Sequence, residues 1–150
     1  MLLEFALALP ILAVMLVGMS DLGRFALDKS SLLQAARAGA QYGVSASQAS
    51  APAATTALSA GELLNVDATA LASTTLTGVT VSHTYFCECT AGGSVTNCSP
   101  KPSCTTLKYY LKVTTTRPFA SVMQSGGVAF SFGSWTAPTT VSASVTTILP

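Results

Sequence analysis

Charge is what this sequence has least of. Charged residues make up 9% of its 150 positions, and none occurs between Glu4 and Asp21. The seven basic residues are spread along the chain and the net charge is +1, so no basic patch predicts binding to nucleic acid. Hydrophobic residues reach 49% and the mean hydropathy is +0.53, which is apolar for a soluble enzyme. We therefore expect one domain with a modest core and an appended apolar segment.

Groupings of catalytic or cofactor-binding residues are also missing from the sequence. His83 is the single histidine, and there is no pair of carboxylates, Ser-His-Asp set, phosphate-binding loop or metal-ligand set. His83 shares one face of a predicted strand with Val79 and Val81, so we interpret it as a structural residue. The sequence thus predicts a protein that is not an enzyme and has no cofactor.

The four cysteines, Cys87, Cys89, Cys98 and Cys104, lie within eighteen residues of each other. Such a cluster in a Thr/Ser-rich chain that begins with an apolar run favours disulfides in an oxidising compartment. The spacings C-x-C and C-x5-C differ from those of structural zinc sites, and the C-x-x-C of redox-active thiols is absent. We predict two disulfides that staple an irregular loop, each worth about 2–4 kcal/mol, with three pairings open.

The apolar run FALALPILAVMLVGMS holds sixteen uncharged residues between Glu4 and Asp21. As a helix it would be about 24 Å long, and it reaches the roughly 30 Å of a hydrocarbon core only if residues 1–3 are added. Pro10 removes a backbone donor, so we expect a kink there. A carboxylate in such a segment costs roughly 2.5–3.5 kcal/mol on insertion scales, so Glu4 predicts a function.

Three interpretations of this run compete. Against a signal peptide, nothing basic precedes the run and the residues after it continue as a helix. In a simple one-pass anchor, the nearby bases Arg24 and Lys29 would hold the rest of the chain in the cytoplasm, where cysteines stay reduced. A processed product that has lost a basic leader before Met1 satisfies both the topology and the cysteines. We expect this third case.

The same residues resemble a known family. LEFALALPILAVMLVGMSDLGR is similar to the start of TadE-like pilins of the tight-adherence (Tad/Flp) system, a type IV-like pilus. Their usual pattern is V-E-F-A-L-x-L-P, a Leu-rich stretch, an acidic residue and G-R. The family glutamate is normally fifth in the mature chain, and here it is fourth. The residues in register are Leu3, Glu4, Phe5, Ala6, Leu7, Leu9, Pro10, Gly23 and Arg24.

The resemblance implies a pilin that a prepilin peptidase cuts, that is stored in the bacterial inner membrane, and that an assembly machinery with an ATPase polymerises into an extracellular filament for adhesion. Met1, Glu4, Phe5 and Pro10 would form the assembly site. We expect Glu4 to pair with the cationic α-amino group of a neighbouring copy, each offsetting the other's burial cost. A carboxylate at the membrane interface with no specific partner is the alternative. The alternative functions are a minor pilin or pseudopilin, or a membrane-anchored periplasmic binding module.

Helical periodicity continues beyond the apolar run, to about residue 48. Ala35, Gly39 and Gly43 recur at every fourth position as a ridge of small residues. Because glycine weakens a helix in water, the ridge predicts close packing against either another subunit's helix or this chain's own sheet. Earlier in the same stretch, Asp21 and Asp28 flank Arg24 at helical spacing, and we expect Arg24 to pair with both.

The second half of the chain reads as a β-rich head. The breaker SASQASAPAATT predicts a loop, and a weak helix follows from about Pro52 to Ala72. Three later stretches alternate with a period of two: LTGVTVSHTYF, LKYYLKVTTTR, which ends at Pro118, and TTVSASVTTIL. KYYLKVTTTRPF after the cysteine cluster also resembles TadE-like proteins. We expect an antiparallel sheet of three strands or more, with one face packed on the helix.

The predicted fold class is therefore α+β. A long N-terminal hydrophobic helix, kinked near Pro10, packs on a small antiparallel β-sheet head with a disulfide-stapled loop. We divide the chain into a membrane or filament-core helix (1–20), a continuation of that helix that packs on the head (21–48), and the head itself (49–150).

Overall fold

The computed structural model describes residues 2–49, 58–89, 93–95, 107–122 and 138–150, with side chains except at 2–4, 89 and 93–95. Within these ranges the chain forms two helices followed by four strands. Their bounds are α1 (Leu2–Ala49), α2 (Ala60–Ala72), β1 (Thr80–Cys89), β2 (Gly93–Val95), β3 (Leu107–Pro118) and β4 (Thr140–Leu149). The long N-terminal helix and the antiparallel sheet of the predicted α+β class are confirmed.

The helix α1 is continuous over 48 residues, which makes it about 72 Å long. It ends at Ala49, next to the predicted end, and Pro10 lies inside it. The kink at Pro10 stays a prediction. The second half of α1 is buried against the head through fully buried Leu32, Ala35 and Ala36.

The helix α2 begins later than its composition suggested, because its start is fixed by a capping box. The Ser59 hydroxyl accepts a hydrogen bond from the Glu62 amide at 3.3 Å, and the Glu62 carboxylate accepts one from the Ser59 amide at 2.7 Å. These two bonds satisfy amides that have no partner inside the first turn.

The buried face of α2 is formed by small side chains. Val66 and Ala70 are fully buried, whereas Leu64 is 67% exposed and Leu71 44% exposed. The reason is the close approach of α2 to α1, where Gly39 leaves room only for small side chains.

The four strands form one antiparallel sheet in the order β2-β1-β3-β4. The predicted alternation in β3 is confirmed, since Leu111 and Val113 are fully buried and Lys108 and Lys112 are exposed. The strand β1 begins later than predicted because a turn precedes it, and Gly78 in that turn has φ 71°, a left-handed conformation that favours glycine.

The core lies between the inner face of the sheet and the two helices. It consists of two neighbouring clusters of buried side chains, one beneath α2 and one at the opposite end of the head. The first contains Ala36, Ala40, Leu58, Val66, Ala70, Leu111, Val113 and Leu149. The second contains Leu32, Phe119, Val141 and Ala143.

Candidate functional site

The feature that most needs a partner is the apolar segment, Phe5–Met19, of α1. Its large side chains are exposed around most of the circumference of the helix, and the remaining side carries half-buried Val14. α1 is also long and apolar enough to cross a membrane, with a mean hydropathy of 2.1 over its best window, and 6% of that window is buried within the chain. The exposed fractions are Phe5 64%, Leu7 68%, Leu9 52%, Ile11 61%, Leu12 54%, Met15 58%, Leu16 66%, Val17 39% and Met19 69%.

The free energy at stake in this segment is comparable with the stability of a whole domain. Complete burial of one such side chain contributes about 1.5–3 kcal/mol. Covering all nine, each about half exposed, is therefore worth on the order of 10 kcal/mol, against roughly 5–15 kcal/mol for folding a domain. A helix that is apolar on all sides belongs in lipid or among other helices.

The apolar segment stops where the head begins, at Asp21. This residue is 8% exposed, and its carboxylate accepts hydrogen bonds from the Ser121 hydroxyl at 2.6 Å and from the Val122 amide at 3.0 Å. Next to it the Phe25 and Phe119 rings meet edge to face, with centroids 5.5 Å apart. The segment that follows β3 is thereby attached to the helix at its point of exit from the head.

A second polar contact lies two turns further along α1. Arg117 donates to the Asp28 carboxylate at 2.8 Å and to the Thr77 carbonyl at 3.0 Å, and the ion pair is partly buried. The expected pairing of Asp28 with Arg24 is wrong, because the guanidinium of β3 reaches Asp28 from the sheet. Arg24 itself is exposed.

A third contact is buried in the core. The hydroxyl of Thr115, a fully buried residue of β3, lies 2.9 Å from the Leu32 carbonyl of α1 and 3.3 Å from the Ala143 carbonyl of β4. Along α1 the three contacts occur in the order Asp21, Asp28 and Leu32. Their partners, Ser121, Arg117 and Thr115, follow one another in the opposite direction along the chain. The three contacts therefore fix how far the head stands from the apolar segment.

The ridge of small residues faces the chain's own head. Ala35 is fully buried, and a methyl group added to Gly39 would lie 3.0 Å from both the Ala70 Cβ and the Val66 carbonyl oxygen. A methyl group added to Gly43 would collide with the Leu111 side chain. The sequence left two partners open, another subunit's helix or this chain's own sheet. The chain's own sheet, through β3, lies against the ridge together with α2.

The remaining predicted site residues divide at the limits of the described structure. Phe5 and Pro10 are exposed on α1. Met1 and the side chain of Glu4 lie outside the described residues, so the pairing of Glu4 stays a prediction.

The cysteine cluster is described only in part. Cys87 is fully buried at the end of β1 and is disulfide-bonded. The side chain of Cys89, together with Cys98 and Cys104, lies outside the described residues. The pairing and the stapled loop therefore stay predictions.

Some titratable groups of the described head contribute to its packing. The His83 Nδ1 lies 2.9 Å from an Asp67 carboxylate oxygen and joins β1 to α2. Burial raises the pKa of Tyr85 above its usual range, and the neighbouring Tyr109 hydroxyl raises it further. The Tyr85 and Tyr109 rings are stacked with centroids 5.7 Å apart.

Comparison with protein families finds a match at the N-terminal end of the chain. Residues 1–41 match the model of a family described as TadE-like protein, so the resemblance inferred from the sequence is confirmed for this part of the chain. The match is consistent with a protein of the Tad pilus system and covers the apolar segment, the Asp21 contact and the first two positions of the small-residue ridge. Among curated proteins and solved structures, no significant match is found.

Proposed function

We propose that this chain is a pilin subunit of the Tad type, stored in the inner membrane and polymerised through its N-terminal helix into an extracellular filament that supports adhesion. The observation that carries the proposal is the apolar segment, which no described part of the chain covers. The match to the TadE-like family over the same residues supports it. Before assembly, lipid would cover the segment in the membrane. In the filament, other copies would cover it.

The exchange of lipid for neighbouring helices is nearly neutral in hydrophobic free energy, because lipid tails are as apolar as leucine. Specificity must therefore come from packing and from polar pairing. We assign that role to Glu4, paired with the α-amino group of an adjacent copy after a prepilin peptidase has cut the precursor. The disulfide-stapled head would lie on the outside of the filament, held at a fixed distance by the contacts at Asp21, Asp28 and Leu32.

The test is to shear surface filaments from cells, image them by electron microscopy and identify the subunit by mass spectrometry. We expect this chain in the filaments, with its processed N-terminus and four bridged cysteines. The variants Glu4→Gln and Glu4→Ala should reach the membrane at the normal level but should not enter filaments. As a matched control, Glu88→Gln removes an exposed carboxylate of the head and should assemble normally.

Each alternative function predicts a different result. A minor pilin or pseudopilin would be present at a few copies per filament or in none, and Glu4 variants would alter filament number. A membrane-anchored binding module would remain a monomer in the membrane.

The role of Glu4 has its own test, because normal filaments from the Glu4→Ala strain would refute it.

A further inference from the structure

The sheet of the head ends in two edges that could each accept another strand. Within the described part of the chain, β4 pairs with β3 alone, over ten residues from Thr140 to Leu149. On the other side, β2 covers β1 from Cys87 to Cys89, and no described strand pairs with Thr80–Phe86 there.

Both edges lack the features by which proteins usually block edge-to-edge pairing, which are charged side chains, proline, bulges and short length. The sequence of β4, TVSASVTTIL, has no charge, proline or glycine, and its register with β3 is unbroken. The open part of β1, TVSHTYF, has no lysine, arginine, carboxylate or proline. Within the described residues, two regular and nearly neutral templates therefore stand at opposite sides of one head.

An apolar row on the outer face of the sheet connects these two edges. Phe86, Tyr110 and Ile148 are directly opposite one another across β1, β3 and β4. The Phe86 and Tyr110 rings stack with centroids 5.2 Å apart and an angle of 7° between their planes. Ile148 is 55% exposed. The row thus has one end on each open edge.

We propose that β4 of one copy pairs in parallel with Thr80–Phe86 of a second copy, so that neighbouring heads share a continuous sheet. For two copies that lie side by side in the same orientation this pairing is parallel, because β1 and β4 are both antiparallel to β3 and therefore run the same way. This inference rests on the proposed self-assembly and names the joint between heads. Since the joint uses two different edges, it is head-to-tail and can repeat along an open helical polymer.

The apolar row sets the register of the joint. When Ile148 is placed beside Phe86 of the second copy, Ser142–Ile148 aligns with Thr80–Phe86. The alignment covers the whole open part of β1 and stops where β2 begins. A shift by one residue would place core-facing side chains against the outer face, so it is disfavoured.

The paired side chains are compatible in this register. On the outer face, Ser144 meets Ser82 and Thr146 meets Thr84, and such hydroxyl pairs contribute modestly to sheet stability. On the inner face, Val145 meets His83 of the second copy. A groove of about 320 Å³ lies beside β4 there and is lined by Arg37, Ala40, Gln41, Val44, Val145, Thr146 and Thr147.

A photo-crosslinking experiment on the full chain in assembling cells tests the joint. Benzoylphenylalanine in place of exposed Thr146 should give crosslinked dimers in which β4 is attached to residues 80–86. The same probe in place of Ala68, on the exposed side of α2, should give no such peptide. If filaments form without the Thr146 crosslink, the joint is wrong and the proposed function stands. If the unmodified chain forms no assembly, both the joint and the proposed function are wrong.

A charge pair at one position of the joint provides a second test. Ser82 and Ser144 are both exposed, so charged substitutions at either are compatible with the folded head. The double variant Ser82→Lys/Ser144→Lys places like charges opposite each other and should reduce the crosslinked dimer by up to about fivefold. The matched variant Ser82→Glu/Ser144→Lys should restore it. If the two double variants have the same melting temperature and still give equal yields of the crosslinked dimer, the proposed register is wrong.

Discussion

Close packing of α1 on the head can be tested by one change made at two positions of the same helix. At Gly39, an added methyl group would lie 3.0 Å from the Val66 carbonyl oxygen and 3.0 Å from the Ala70 Cβ. Neither atom can turn away without moving the backbone of α2. At Gly23, no atom lies within 4 Å of the added methyl group, so only the intrinsic preference of the helix changes.

The magnitudes separate the two variants. Replacing glycine by alanine inside a helix stabilises by about 1 kcal/mol, and overpacking a filled site costs about 1–3 kcal/mol. Gly23→Ala should therefore raise the melting temperature, while Gly39→Ala should leave it unchanged or lower it. The gain in helix propensity is the same in both variants. Their free energies of unfolding should therefore differ by about 1–3 kcal/mol, and their melting temperatures by about 2–12 °C in a chain of this size.

The measurement is thermal unfolding of the full chain in detergent, followed by circular dichroism. Hydrogen exchange of α2 is an independent readout, because Gly39→Ala should loosen α2 and Gly23→Ala should not. Equal melting temperatures for the two variants would refute the reasoning, since they would show that Gly39 is not a point of close approach.

Three further variants probe the polar contacts between α1 and the sheet, with unfolding in detergent as the assay. Ser121→Ala removes one of two described donors to buried Asp21 and should cost about 1–2 kcal/mol, with faster hydrogen exchange in the segment after β3. Thr115→Val keeps the side-chain volume but loses the hydroxyl that donates to the Leu32 carbonyl, so it should cost about 1 kcal/mol. Asp28→Asn breaks a partly buried ion pair and should cost at most about 1 kcal/mol, a cost that falls with added salt.

Exposed residues of the same types supply the controls for these variants. Ser142→Ala and Thr84→Val lie on the outer face of the sheet and should change the unfolding free energy little. A Thr115→Val variant as stable as Thr84→Val would show that the contact with α1 contributes nothing. A salt-independent loss in Asp28→Asn would exclude the ion pair as its cause.

The sequence predicted the elements whose pattern is local. The end of α1 followed from helical periodicity, and the strands β3 and β4 followed from alternation with a period of two. The apolar segment needed only composition. The start of α2 was missed although its signal was present, since Ser59 and Glu62 have the spacing of a capping box.

The contacts that fix the head on the helix could not be predicted in the same way. Asp21 and Ser121 are 100 positions apart, and Asp28 and Arg117 are 89 apart. Nothing in the chain distinguishes Ser121 from its other serines. A local interpretation therefore gave Asp28 its nearest cation, Arg24, whereas the folded sheet supplies a better placed one.

One helix thus serves two environments, and the boundary between them is sharp. Among the described residues of α1, every buried one is Asp21 or later, whereas the large side chains from Phe5 to Met19 are exposed except for half-buried Val14. Because no described residue from Phe5 to Met19 is buried in the head, the proposed function predicts that this segment can leave lipid and join other helices without unfolding the head. In the proposed filament, the polar contacts at Asp21, Asp28 and Leu32 would hold the head in one position on the helix, so helices that pack in a fixed register would also bring their heads together in a fixed register. Association between helices and association between heads would then be coupled, and weak contacts of either kind would suffice because each one would pre-orient the other.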